Sequence, residues 1–251
     1  MRCSPIEPQM QELAAKFWTD AGEFGIMRYD LTRAVAFSLP LDLVLLSRLT
    51  MHHIEQWLEH RGVQYRFPCE SRALRGCLLV YRGAGIVFVD GSDPREERHY
   101  TFAHEVAHFL VDYWLTRLQT VKEFGPEIID VLDGQRSPHT GERLDSILLQ
   151  VSIEPYVCLV EREAGRFVRS GIWAAENRAD RLALELLAPA DEVRTRVCAN
   201  GAADDFFACR AEAQRLLLDE FELPIGVAEE YARRLAEWIT GGPSVLESWG
   251  L

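Results

Sequence analysis

The apolar residues between positions 76 and 117 change their period, and that change limits the folds open to this chain. GCLLVYRG (76–83) and GIVFVDG (85–91) are dense in β-branched, aromatic and aliphatic residues and are punctuated by glycine, as strands are. The RGAG between them predicts a hairpin. Directly after it, SDPREERHYTFAHEVAHFLVDYWLTR has helical spacing. Asp93 reads as its N-cap, Pro94 as the first helical residue and Glu96 as the capping-box partner, which predicts a helix over about 94–117. Phe102, Val106 and Phe109 give that helix an apolar side to bury. A sheet followed by a helix that must pack on it points to an α+β fold.

The remaining segments are mostly helical. PQMQELAAKFW (8–18) and TMHHIEQWLEHRG (50–62) read as helices, the second with Thr50 as cap and Gly62 at its close. VQYRF (63–67) and YVCLVE (156–161) read as strands, and short helices are expected at 124–132 and 141–150. SGIWAAENRADRLALELLAP (170–189) reads as a helix with Ser170 as cap and Pro189 just past its end, and two amphipathic helices follow. The expected organisation is an N-terminal helical region (1–62), a core (63–200) with an insertion at about 119–170, and C-terminal helices (201–251), packed as one unit. Together these elements predict a predominantly helical α+β fold with a small antiparallel sheet packed on the 94–117 helix.

Charge and cysteine usage narrow the partners. Lys plus Arg total 27 against 39 Asp plus Glu, and the resulting net charge of −12 repels phosphate backbones and anionic lipid. Direct nucleic-acid binding is therefore not expected. AVAFSLPLDLVLLSRLTM (34–51) is the most apolar stretch, but Asp42, Arg48 and Pro40 interrupt it, so it reads as a buried helical segment and not a membrane span. The first 25 residues carry acids throughout and lack a secretory signal's apolar stretch, and the six cysteines include no CxxC. Reduced thiols and a cytoplasmic location are the expectation.

The chemistry concentrates in HEVAH. Residues i and i+4 of a helix lie one above the other, so His104 and His108 present two imidazoles at a separation that one tetrahedral ion can bridge. Glu105 lies about 100° around the helix from His104, beside the ligands, where a carboxylate can exchange protons with water. With 7 His and 39 Asp plus Glu in 251 residues, random placement gives HExxH in under about 3% of such chains. A catalytic zinc site needs a third protein ligand. Glu176 and Asp180 form an acid pair at i and i+4 that is either a ligand with an orienting partner or a solvated acidic stripe, and Glu185 is a competing ligand on the same helix. Asp112, four residues after His108, continues the ligand face. His139, in the polar SPHTGE loop, is the spare histidine that could stabilise an oxyanion. His52, His53 and His60 have no acid at ligand spacing and read as surface or core residues, while His99 points away from the pair.

GIVFVDGSDPREERHYTFAHEVAHFLV (85–111) and ENRADRLALELLAPADEV (176–193), in that order, resemble the two motif segments of the ImmA/IrrE family of bacterial metallo-endopeptidases. The resemblance implies a zincin-like core with one Zn2+ per chain, ligated by His104, His108 and Glu176, with Glu105 as general base. Asp180 stands where the family often has Asn, and the spacing of Glu176 and Asp180 is also similar to that of thermolysin-like glutamate zincins. The family implies a cytoplasmic protease that cuts or inactivates a helix-turn-helix repressor, here on a separate chain, and so switches on mobile-element or stress-response genes. The alternative is a regulatory module on the same scaffold that inactivates a repressor by contact alone. Three departures stand out: Tyr100-Thr101 replaces the usual Phe-Thr, Leu182 replaces the usual Phe, and 67 residues separate His108 from Glu176, an insertion that reads as a lid or a specificity arm. For the protease, an exposed strand, with GIVFV as the candidate, is expected to pair with the substrate backbone.

Overall fold

The computed structural model describes residues 4–23, 25, 30–137, 156–161 and 170–243. In chain order the elements are α1 (Pro8–Gly22), α2 (Leu31–Ser38), β1 (Leu41–Leu46), α3 (Met51–Glu59), β2 (Leu74–Tyr81), β3 (Ala84–Asp90) and α4 (Arg95–His108). A π-helical turn (Phe109–Trp114) leads into α5 (Leu115–Phe124), followed by a 3-10 turn (Pro126–Ile128), α6 (Ile129–Leu132) and β4 (Tyr156–Glu161). The chain then forms α7 (Ser170–Leu187), α8 (Ala190–Ala199), α9 (Phe206–Asp219) and α10 (Ile225–Thr240). The helix expected at 141–150 lies outside the described residues.

The predicted hairpin forms from β2 and β3, and its two-residue turn places Arg82 and Gly83 at φ of 52° and 82°. Positive φ at both central positions is the type I′ geometry that matches strand twist, and Gly83 meets it without steric cost. The sheet is mixed, in the order β1-β3-β2-β4, and not the antiparallel sheet expected, because β1 runs parallel to β3. β1 comes from the stretch read as a buried helix. Pro40 has no N–H to continue α2, and Leu41–Leu46, despite four helix-favouring leucines, pairs in register with Gly85–Asp90 of β3, so tertiary pairing overrides local propensity. The strand expected at 63–67 does not form either. Phe67 still buries its ring, but its N–H bonds the Glu55 carboxylate at 2.8 Å in place of a ladder partner.

α4 starts one residue later than expected, with Pro94 at the N-cap and no side-chain capping bond, so Asp93 does not cap it. Glu96 and Glu97 in the first turn suit the positive end of the helix dipole. α4 packs on the sheet through β2 and β3 and on α7 through another side. Phe102, Val106 and Phe109 are buried, as their spacing requires. A large apolar cluster joins α1, α2, the sheet, α4 and the C-terminal helices. A smaller one, under α3, covers the opposite face of the sheet around Phe88. α4 is therefore held between sheet and α7, which fixes where HEVAH points. No helix among the described residues is long and apolar enough to cross a membrane.

Candidate metal centre

His104 and His108 point from α4 toward α7, where Glu176 meets them. His104 Nε2 lies 3.1 Å from His108 Nε2 and 3.2 Å from Glu176 Oε2, and His108 Nε2 lies 3.5 Å from Glu176 Oε1. Metal–ligand bonds of about 2.0–2.1 Å in a tetrahedral site put neighbouring donors about 3.3 Å apart. The three separations bracket that value, so a single ion fits among the three donors with little rearrangement. Among the described residues no fourth His, Cys or carboxylate joins the group. The histidine side chains are almost fully covered, while Glu176 is 37% exposed, so the centre opens to solvent along the α7 side.

The outward ring nitrogens are anchored as well. His104 Nδ1 lies 2.9 Å from Asp180 Oδ1, which also accepts the Tyr100 hydroxyl at 2.9 Å. His108 Nδ1 lies 2.7 Å from Asp112 Oδ2, whose other oxygen accepts Arg178 Nη2 at 3.1 Å. Carboxylates that take the Nδ1 protons fix the tautomer that leaves both Nε2 atoms free as donors to a metal. Asp112 sits in the π-helical turn, the kind of irregularity that re-aims a side chain near a functional site. Arg178 and Tyr100 are not among the site residues expected from the sequence. The signal available for Arg178 was its place inside ENRAD, two residues from each acid.

The electrostatics ask for positive charge. Burial disfavours the imidazolium forms, but hydrogen bonds to Asp180 and Glu176 raise His104, and bonds to Asp112 and Glu176 raise His108, well above ordinary histidine. Burial raises Glu176 in turn, yet its bonds to both histidines bring it well below ordinary Glu. Glu105 is fully buried, and desolvation lifts it from 4.5 to about 7 against the pull of the two histidines. Neither Glu105 carboxylate oxygen has a hydrogen-bond partner among the described residues. An orphaned buried carboxylate next to convergent nitrogen and oxygen donors fits a site completed by a cation and water.

Glu105 is also where the sheet comes closest to α4. A Cβ built on Gly76 of β2 would lie 2.6 Å from Thr101 Cγ2 and 2.9 Å from Glu105 Oε1, so only glycine fits there. β4 passes the same region: burial, then Glu105 and Glu176, push the Cys158 thiol far up. Glu185 is not a ligand, because its Oε2 accepts the Ala190 N–H at 3.0 Å and caps α8. His52 and His53 sit on α3 and His60 is its C-cap, away from the centre, and all three bond local groups. His139 lies outside the described residues. GIVFV does not offer a free edge, since β3 is paired with β1 on one side and β2 on the other. The strand at the sheet's edge beside α4 is β4.

Compared with protein-family models, with curated proteins and with solved structures, the chain finds no match. What the fold and site define is thus a class only: an α+β protein with a mixed four-stranded sheet and a group of three donors at metal-binding distance.

Proposed function

We propose that this chain is a zinc-dependent endopeptidase with a zincin-like core, of the glutamate type that the ImmA/IrrE resemblance implies. The observation that carries the reading is the convergence of His104 Nε2, His108 Nε2 and a Glu176 oxygen at 3.1, 3.2 and 3.5 Å, with the unpartnered Glu105 alongside. Zinc, which His104, His108 and Glu176 would hold, would supply a Lewis acid for a scissile carbonyl and for water. Glu105 Oε takes the proton from the attacking water and returns it to the leaving amine nitrogen. Burial, which raises the Glu105 carboxyl above the ordinary Glu range, favours a group that can both accept and give back a proton. Asp180 and Asp112 keep the two imidazoles aimed, and Tyr100 and Arg178 hold those acids in place. β4, at the sheet edge, is the strand best placed to pair with an extended substrate.

A regulatory protein such as a helix-turn-helix repressor on a separate chain is the proposed substrate on the strength of the resemblance alone, and with it a cytoplasmic site of action. The test is metal analysis of purified wild type and Glu105→Gln, followed by sequencing of new N-termini after each is incubated with host-cell extract. One zinc per chain in both proteins and termini produced only by the wild type are expected. Absence of zinc, or identical termini in both, would overturn the reading. Wild-type-only termini also exclude a module that acts by contact alone.

A further inference from the structure

A cavity of about 580 Å3 opens on the far side of α4. Its α4 residues, Arg95, Arg98, His99 and Phe102, are centred roughly 150° around the helix from the His104–His108 pair at 100° per residue, so it is separate from the metal centre. The volume lies in the range of small-molecule sites. Leu43 of β1, Val89 of β3 and Phe102 give it apolar lining, and Arg33, Arg95 and Arg98 line it together with Asp30 and Glu222. In a chain of net charge −12 three guanidinium groups at one apolar cavity run against the overall balance.

The carboxylates that line the cavity neutralise one of the three. Glu222 pairs with Arg95 at 2.9 Å, and Asp30 accepts the backbone N–H of Arg33 at 3.2 Å as the cap of α2. Arg98 reaches only the Gly91 carbonyl, at 3.4 Å, and neither Arg33 nor Arg98 has a carboxylate partner among the described residues. Two arginines without a carboxylate partner, lining the same cavity as Leu43, Val89 and Phe102, match the head and the body of one kind of molecule. We propose that this cavity binds a small organic anion, its carboxylate or phosphate head held by Arg33 and Arg98 and its apolar body lying on Leu43, Val89 and Phe102.

The experiment is calorimetric titration of the full chain with sodium decanoate, with inorganic phosphate as the head alone and decanol as the tail alone. Decanoate is expected to saturate one site, with phosphate and decanol at least about tenfold weaker, because each makes half of the contacts. Arg33→Ala/Arg98→Ala is expected to weaken decanoate at least about tenfold. Glu222→Gln frees the Arg95 guanidinium and is expected to tighten decanoate severalfold, a gain that misfolding does not produce. Undiminished binding in the arginine double variant, unchanged or weaker binding in Glu222→Gln, or phosphate binding as tight as decanoate each overturns the proposal.

Discussion

Replacing Gly76 by alanine tests how closely the sheet meets the helix that carries HEVAH. The new methyl would sit 2.6 Å from Thr101 Cγ2, about 0.8 Å inside the ordinary 3.4 Å limit, with Glu105 Oε1 at 2.9 Å on its other side. Thr101 and Glu105 are both buried, so neither side chain can swing into solvent to make room. Overpacking of this kind costs about 1–3 kcal/mol. For a domain of this size that lowers Tm by roughly 3–9 °C. Scanning calorimetry or thermal unfolding followed by circular dichroism reads the change directly. Because the nearest contact is a single methyl, Gly76→Ala/Thr101→Ser, which removes that methyl, should regain part of the loss. An unchanged Tm in Gly76→Ala, or a double variant less stable than the single one, would show that β2 does not approach α4 as described.

Three other outcomes follow from the contacts around the centre. Asp112→Ala should lower zinc affinity about 10- to 100-fold in a chelator competition while leaving stoichiometry at one per chain, since His108 loses its orienting carboxylate and not its donor atom. Glu185→Ala should cost about 1–2 kcal/mol in a denaturant titration by uncapping α8, and should leave metal content untouched; loss of metal would return Glu185 to the ligand set. With a thiol reagent under native conditions, Cys69 and Cys198 should be labelled quickly, and Cys77 and Cys158 only on unfolding, because burial holds both thiols well above their ordinary pKa.

What could be read in the sequence was what is local. Two histidines at i and i+4, a glutamate between them and an acid pair at i and i+4 further on are each fixed by the geometry of one helix, and the structure brings these two local patterns together. The hairpin was legible for the same reason, since RGAG sets its own turn. Long-range pairing was not. Leu41–Leu46 carries no alternation strong enough to separate a strand from a buried helix, and its parallel partner lies 44 residues further along the chain (Leu41 to Gly85). Placing β3 at the interior of the sheet, and with it the failure of GIVFV as a free edge, depended on that same unseen partner. Gly76 reads as ordinary strand punctuation until α4 is laid across it. Arg178 and Tyr100 acquire meaning only from acids that belong, or bond, to the facing helix.

The ion pair between Arg178 and Asp112 ties α7 to the π-helical turn, while Asp180 and Glu176 reach from α7 to His104. The Asp112–His108 contact lies within the α4 side itself, whereas the Glu176 donor, the Asp180 anchor and the Arg178 brace on Asp112 depend on one relative placement of two helices. A slip of α7 by one residue would carry its side chains about 1.5 Å along the axis and about 100° around it, and would break all of these contacts together. The centre works as a vernier between two helices, and under the proposed function its affinity for zinc becomes a direct measure of how faithfully α7 is seated on α4.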